Sequence, residues 1–535
     1  MVGFVLDVRL VNANIITMDP GYPLAHKLGL WNGRIVALDG AAACLPARQE
    51  VDLQAATVLP GFIDAHVHLS WTGLRARSVS VAPCRRVADV LAAISQASRD
   101  GPRGTWLDVV GYDQRPLGRH LTAAELDPVS AGRKLFVMHD SGHACVVNSA
   151  VLDLLPAGVP HDHGVLTEQG MAAVRALRAP YPIDDLVDAI EIAARTCLTE
   201  GVTACAEAGI GAGLISHSPV ELVAYQHALE QGRLAIRVQL MVAGELLHPV
   251  DAHPSDDTAR AIDLGLRTGF GSDRLSIGAL KVFLDGGMMA RTAALSSPYR
   301  GLEHCGTLYA EPESLTRLIV DGHRAGWQLA IHAIGDQAVD VALDALAHAQ
   351  RIRPRPQARH RIEHAGLVRP DQLARFAQTG AMAVVQPSFL WYLGDDYAAI
   401  MGADRAPWLY RGRGFLDQGI TLVGSSDRPV TPGAPLRAIQ VMVQRATESG
   451  LIIGPDEGIG VDDALRCFTV NAALACRQED ILGSITPGKH ADLVVLSDDP
   501  RRVDISKIGD ISVVATLVAG EVAHGADILT STLRT

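Results

Sequence analysis

His66 and His68 stand two residues apart in the run Leu59-Pro60-Gly61-Phe62-Ile63-Asp64-Ala65-His66-Val67-His68-Leu69. Alternate side chains of a β-strand leave on one face, so histidines at i and i+2 near a strand end converge on one point and can share a metal ion. By itself such a pair is modest grounds for a metal, because a histidine is more often a satisfied core or surface residue. Further polar groups follow far along the chain, each toward the end of an apolar run. These are Lys281 in Ala279-Leu280-Lys281-Val282-Phe283-Leu284-Asp285, His332 in Ala330-Ile331-His332-Ala333, His364 in Ile362-Glu363-His364-Ala365 and Asp427 in Gly424-Ser425-Ser426-Asp427.

Lys281 is the odd member, because an unpaired ammonium buried in an apolar strand is costly unless its pKa falls or its chemistry changes. Carboxylation by CO2 turns it into a carbamate, whose two oxygens bridge two divalent metals while His66 and His68 hold one and His332 and His364 hold the other. The competing reading is an ordinary lysine that snorkels to the barrel mouth or pairs with Asp285. Asp427 ends the last run, which adjoins the first in a closed sheet, so it can bind the same metal as the histidine pair. Two divalent cations bridged by hydroxide bring the pKa of water toward neutrality and provide a nucleophile without serine or cysteine. Asp427 then takes the hydroxide proton and passes it to a leaving nitrogen. Nitrogen and oxygen ligands of this kind suit Zn²⁺ best, with Mn²⁺, Fe²⁺ and Co²⁺ as alternatives.

These residues must be carried by elements that meet at one rim. Apolar strand-like runs recur at 58–66, 202–207, 235–242, 277–285, 328–332, 360–364, 381–386 and 421–427, with helix-length connections between them. Eight such strands predict a (β/α)8 barrel, whose chemistry gathers at the C-terminal strand ends. Short β-type segments fill residues 5–57 and return at 492–496, 513–518 and 521–523, which predicts a small discontinuous β-sandwich domain from both termini. The expected domains are therefore 1–57 with 478–535, and a barrel over 58–477. Residues 72–180 are far longer than a βα connection needs and carry strand candidates at 106–111 and 135–138, so they are expected to form a lid-like insertion over the active-site mouth. The basic, proline-containing stretch 351–361 reads as a solvated turn.

Composition narrows the class further. The 535 residues are 48% hydrophobic and 20% charged, as in a folded soluble enzyme, and the net charge of −12 argues against a nucleic-acid surface. The eight cysteines are scattered without a CxxC pair and read as reduced thiols. No apolar run approaches the length of a membrane span, and the N-terminus lacks the pattern of a secretory signal, so a cytoplasmic location is expected.

The motifs Pro60-Gly61-Phe62-Ile63-Asp64-Ala65-His66-Val67-His68, Lys281-Val282-Phe283-Leu284-Asp285-Gly286, His332-Ala333-Ile334-Gly335-Asp336, Arg361-Ile362-Glu363-His364-Ala365 and Ser426-Asp427-Arg428-Pro429-Val430 closely resemble the amidohydrolase superfamily. The branch most similar is amidohydrolase family 3, which includes N-substituted formamide deformylase. The stretch Leu482-Gly483-Ser484-Ile485-Thr486-Pro487-Gly488-Lys489-His490-Ala491-Asp492-Leu493-Val494 resembles that family's return into its small β-domain. The resemblance spans about residues 5–525. It implies the barrel, the carboxylated Lys281 and the metal roles above: His66, His68, Lys281, His332, His364 and Asp427 as ligands of two divalent ions, best Zn²⁺.

Two departures border the pocket. Arg428 stands where the family commonly has Trp after the aspartate, and Gly287-Met288-Met289-Ala290-Arg291 replaces a loop that usually reads with small residues. A guanidinium at 428 either clamps an anionic substrate group or pairs with a neighbouring carboxylate. Asp140-Ser141-Gly142-His143 and Asn148 resemble a family segment that reaches over the mouth. His143 is thus the candidate for touching the substrate carbonyl, against its alternative as an ordinary loop histidine. Trp71, Asp285, Arg291 and Arg428 are the candidate substrate contacts, while Tyr112, Trp391 and Tyr392 are apolar lining or plain core. The expected activity is hydrolysis of a C–N amide bond, N-formyl or N-acyl, by a metal-bridging hydroxide. The alternatives are a mononuclear deaminase, a cyclic amidase, an ester or lactone hydrolase, and last a non-catalytic scaffold. A small-molecule substrate is expected, with no nucleic acid or membrane partner, and a homodimer is the base-rate assembly.

Overall fold

The computed structural model describes residues 4–140, 144–213 and 215–526, with only the backbone of residues 168 and 169. Eight parallel strands form one sheet in chain order: Phe62–Val67, Val202–Ile210, Arg237–Ala243, Leu275–Phe283, Leu329–Ala333, Arg361–His364, Met382–Val385 and Leu422–Gly424. Strands such as Val202–Ile210 and Arg237–Ala243 are buried at every position, as expected when a parallel sheet is covered on both faces. Helices including Pro312–Arg324, Pro370–Thr379 and Pro435–Gln444 connect or flank them. Each starts on a proline, whose fixed φ and missing N–H suit the first helical position.

Closure comes from the residues just past the last strand. Asp427 N donates to His66 O at 2.8 Å, His68 N donates to Arg428 O at 2.8 Å, and Ser426 N donates to the Asp64 carboxylate at 2.9 Å. The eighth strand is thereby stitched to the first at its C-terminal end, and the same bonds bring Asp427 beside the histidine pair. Inside, small and aliphatic residues such as Ala65, Ala206, Ala279, Ala330 and Val384 pack with Ala472, Ala473 and Leu482 from the segment that follows. The interior is a filled core rather than a pore.

The first expected run, 58–66, divides in two. Thr57–Pro60 pairs with Asn14–Ile16 and Leu493–Leu496, whereas Phe62–Val67 pairs with Val202–Ile210. Gly61 is the join, and a Cβ there would lie 2.3 Å from Thr203 Oγ1, so only glycine fits against the Thr203 side chain. Around this join, a four-stranded sheet (Leu6–Val11, Leu28–Trp31, Arg34–Leu38, Ala47–Asp52) faces a six-stranded sheet that contains Leu493–Leu496, Val513–Val518 and Glu521–His524. Leu10, Leu30, Ile35 and Val51 of one sheet meet Ile15, Val58, Leu493, Val495 and Leu517 of the other in one core.

Residues Ser70–Ala189 and His217–Ala224 form a separate compact unit, the remainder being the barrel and sandwich. This unit has its own five-stranded sheet, with Trp106–Tyr112 and Lys134–His139 parallel at its centre and Ala144–Val147 and Val165–Thr167 antiparallel at one side. Val90, Ile94, Val109, Leu121 and Val137 make one of its cores, and Phe136, Val147, Met171 and Val174 another. This unit starts two residues before the expected 72–180 and runs on through the first turns of the helix Ile183–Thr199, up to Ala189. All eight cysteines are unpaired, and no helix among the described residues is long and apolar enough to cross a membrane.

Candidate metal centre

Six residues from five separated segments meet at the C-terminal ends of the barrel strands. His66 is fully buried, Lys281 is 1% exposed and His364 2%, while His68, Asp427 and His332 are 6–8% exposed. One ligating atom each of His66, His364 and Asp427 falls within 4.8 Å of the others. His68 Nε2 lies 3.0 Å and His66 Nε2 3.5 Å from Asp427 Oδ1. Lys281 Nζ is 3.3 Å from His66 Nε2, and the His332 and His364 rings stand 4.4 Å apart.

Hydrogen bonds fix which nitrogen of each ring turns inward. His66 Nδ1 donates to Glu363 Oε2 at 2.5 Å, and Arg361 holds that carboxylate with Nε and Nη2 at 2.6 and 2.9 Å. His364 Nδ1 donates to Gln386 Oε1 at 2.7 Å. Both leave Nε2 with its lone pair toward the centre. His332 is reversed, with Nε2 3.3 Å from the Gly286 carbonyl, so its Nδ1 is the nitrogen available for ligation. His68 has Glu207 Oε1 3.7 Å from Nδ1, and Glu207 is itself held by Leu69 N and Tyr225 Oη at 2.6 and 2.5 Å.

Electrostatics favour neutral imidazoles at three of the four histidines. Burial, reinforced by the Lys281 charge, holds His66 well below its ordinary pKa and lowers His332 to about 3. Burial and the neighbouring His332 and His66 do the same to His364. Burial also opposes a charge on His68, but Asp427 and Glu207 outweigh it and raise this group to about 9 without a metal. A cation in the gap would reverse that balance, since metal binding displaces the proton. Lys281 is lowered to about 8 by burial, opposed by Glu363 and Asp427, and its Nζ sits 4.8 Å from the centre of the Phe283 ring.

These residues fit a divalent ion on one observation in particular. Asp427 Oδ1 is buried and makes no hydrogen bond of acceptable geometry, although two imidazole nitrogens lie within 3.5 Å. Without a metal, the protonated His68 supplies the positive charge facing this oxygen, and a cation held between the carboxylate and the imidazole nitrogens would take its place. Asp427 is held there at φ +56°, an uncommon conformation for a residue other than glycine.

The other expected contacts are placed differently. Asp285 is fully buried, and its two oxygens accept from Ala294 N, Ile334 N and Gly335 N at 2.8–3.0 Å. It anchors the loop behind His332 instead of facing a substrate, although burial raises its pKa to about 7. Of the two roles open to Arg428, the structure has the internal one. The guanidinium is 4% exposed, reaches Cys197 Sγ at 3.1 Å and contacts Glu200. Arg291 donates to Met289 O and pairs with Asp396 at 2.8 Å. Trp71 is half-buried on the helix Leu69–Arg77. Asn148 bonds Leu135 N and Arg133 O, and Tyr112 bonds His120 and Leu121 N, so both serve their own unit. Trp391 lies under Arg437, and Tyr392 is 37% exposed. His143, expected at the substrate carbonyl, lies outside the described residues.

Sequence reasoning missed the groups that orient the ligands: Arg361, Glu363, Gln386 and Glu207. The alternation of Arg361 and Glu363 in an otherwise apolar strand was the available signal, since opposite charges at i and i+2 share a face.

The model of the amidohydrolase family (Amidohydro_3) matches residues 49–524. Protein LONG AFTER FAR-RED 3 of Arabidopsis thaliana is 29% identical, over 97% of this chain and 92% of its own length. N-substituted formamide deformylase of Arthrobacter pascens is also 29% identical, over 96% of this chain and 97% of its own. The crystal structure of an uncharacterized metal-dependent hydrolase from Pyrococcus horikoshii superposes with a TM-score of 0.78 at 26% identity, covering 93% of this chain and 99% of that one. The barrel, its strand-end residues and the matched span agree: this chain belongs to the amidohydrolase family.

Proposed function

We propose that the protein hydrolyses the C–N bond of an N-formyl or other N-acyl amide, with two divalent metal ions, best Zn²⁺, held by His66, His68, Lys281, His332, His364 and Asp427. The carrying observation is the buried Asp427 oxygen with two imidazole nitrogens within 3.5 Å of it at the rim of the barrel. Similarity to N-substituted formamide deformylase over nearly the whole of both chains supports the amide reading. Bound cations of this kind supply Lewis acidity and a water of lowered pKa.

The chain's own groups account for the rest. Asp427 holds the proton given up by the attacking water on a carboxylate oxygen and returns it to the leaving nitrogen, so the products are a carboxylate and an amine. Glu363, fixed by Arg361, keeps His66 in one tautomer, and Gln386 does so for His364. Burial lowers Lys281 to about 8, so a large share of its amine is neutral at that pH, and the neutral amine is the form that adds CO2 and releases a proton to become a carbamate. The carbamate relieves the burial of an ammonium and adds the negative charge that paired cations need.

The test is a panel of N-formyl, N-acyl, cyclic amide and ester compounds offered to Zn²⁺- and Mn²⁺-loaded protein, with release of acid and amine measured separately. Amide turnover is expected, and Asp427→Asn is expected to lower it by about 10³-fold with an unchanged circular dichroism spectrum. Undiminished turnover in Asp427→Asn, or turnover of esters alone, defeats the proposal.

A further inference from the structure

Tyr410 has no part in the centre as described. Its side chain is buried, with 2% of the residue exposed, and its hydroxyl has no hydrogen-bond partner among the described residues. Buried hydroxyls are almost always paired, so an unpaired one calls for a missing partner.

The backbone around it is firmly held. Tyr410 N donates to Gly366 O at 2.9 Å, two residues past His364, and Leu409 bridges Leu367. Arg445, itself buried, donates Nη1 to Tyr410 O at 2.6 Å, Nη2 to Leu409 O at 2.7 Å and Nε to Ile453 O at 3.0 Å. These bonds keep Tyr410 at φ +42°, a left-handed conformation unfavourable for a bulky residue. Such strain persists where surrounding structure enforces it, and it clusters at working sites.

Packing fixes the ring. Phe389 stacks on His364 with centroids 6.4 Å apart, and Tyr410 meets the edge of Phe389 at 5.7 Å. Tyr397 lies parallel on it at 6.4 Å, so Tyr410 stands one aromatic layer from His364. Burial, then Tyr397 and the carboxylates of Asp427 and Asp285, hold its pKa well above the ordinary tyrosine value. The phenol therefore remains a donor at any working pH.

We propose that Tyr410 is a catalytic residue whose hydroxyl donates a hydrogen bond to the carbonyl oxygen of the bound amide. This rests on the hydrolase reading above. When water adds to the carbonyl carbon, the C=O π pair moves onto oxygen, and the Tyr410 hydrogen bond strengthens on that anion. The pair returns as the C–N bond breaks, and the amine leaves with the proton carried by Asp427.

Tyr410→Phe removes only the oxygen. The expected result is unchanged metal content, unfolding stability equal to or above that of the parent, and kcat/KM lowered about 10²–10³-fold, chiefly in kcat. Affinity for a phosphonate analogue of the tetrahedral anion falls by a similar factor, while affinity for the carboxylate product changes little. Full activity in Tyr410→Phe with an active parent overturns the role of Tyr410 and leaves the hydrolase reading standing. Lost stability and lost metal that track the lost activity make the hydroxyl structural and overturn it likewise. A metal-loaded parent that turns over no amide overturns both.

Discussion

Arg428 separates two accounts of the pocket, and its replacement by methionine distinguishes them. The guanidinium is 4% exposed and contacts the Glu200 carboxylate, which is 22% exposed, and Cys197. Burial raises the Cys197 thiol to about 11, so it stays neutral and Glu200 is the sole anionic partner among these contacts. Breaking a fully buried pair from one side costs about 3–5 kcal/mol, because the abandoned charge remains. Allowing for the partial exposure of Glu200, Arg428→Met should lose about 2–3 kcal/mol of unfolding free energy near pH 8. Burial already raises the Glu200 pKa despite the arginine, and losing the arginine raises it further. A carboxyl whose folded pKa is raised favours folding most below its unfolded pKa, and that contribution is lost as pH rises through the folded value. The defect should therefore shrink toward pH 5.5 and be largest in mild alkali. Urea unfolding of the parent, Arg428→Met, Glu200→Gln and the double variant reads this directly. The double variant is expected within about 1 kcal/mol of the parent at pH 8. If Arg428→Met instead keeps full stability and raises KM for anionic substrates but not neutral ones, the guanidinium faces substrate and the internal assignment is wrong.

Two further perturbations probe the ligands. Gln386→Met removes the acceptor that fixes the His364 tautomer. Metal affinity by chelator competition should weaken about 10–100-fold, and an unchanged affinity would falsify the orienting role of Gln386. Lys281→Met in metal-free, CO2-free buffer should be the more stable protein by about 3 kcal/mol below pH 8, since lowering the lysine from 10.5 to about 8 is a stability penalty of that order. As pH rises from about 8 to 10.5 the folded parent no longer carries the charge, so the gap should close. A gap that stays constant across that window rejects the buried ammonium.

The strand-end residues were legible because period-two alternation and barrel topology together dictate where a polar residue at the end of an apolar run must point. The first run conceals one break, since nothing in its hydrophobicity marks the change of sheet at Gly61. That break follows from the close approach of Thr203, a tertiary fact. The direction of Arg428 was open for a similar reason. Past the eighth strand the backbone turns through Asp427 at φ +56°, and alternation no longer says which way the next side chain leaves. The same holds after the sixth strand, where His364 and Ala365 both have positive φ. Tyr410 gave no sequence signal, because its place depends on Arg445 and on Phe389, which reach it only through the fold.

The central claim is that these six side chains hold a pair of cations. Equilibrium metal content after dialysis against Zn²⁺ and bicarbonate measures it most directly. Two ions per chain are expected in the parent, with at least one lost in His66→Asn and in Lys281→Met. A parent that retains no ion above the buffer level contradicts the account.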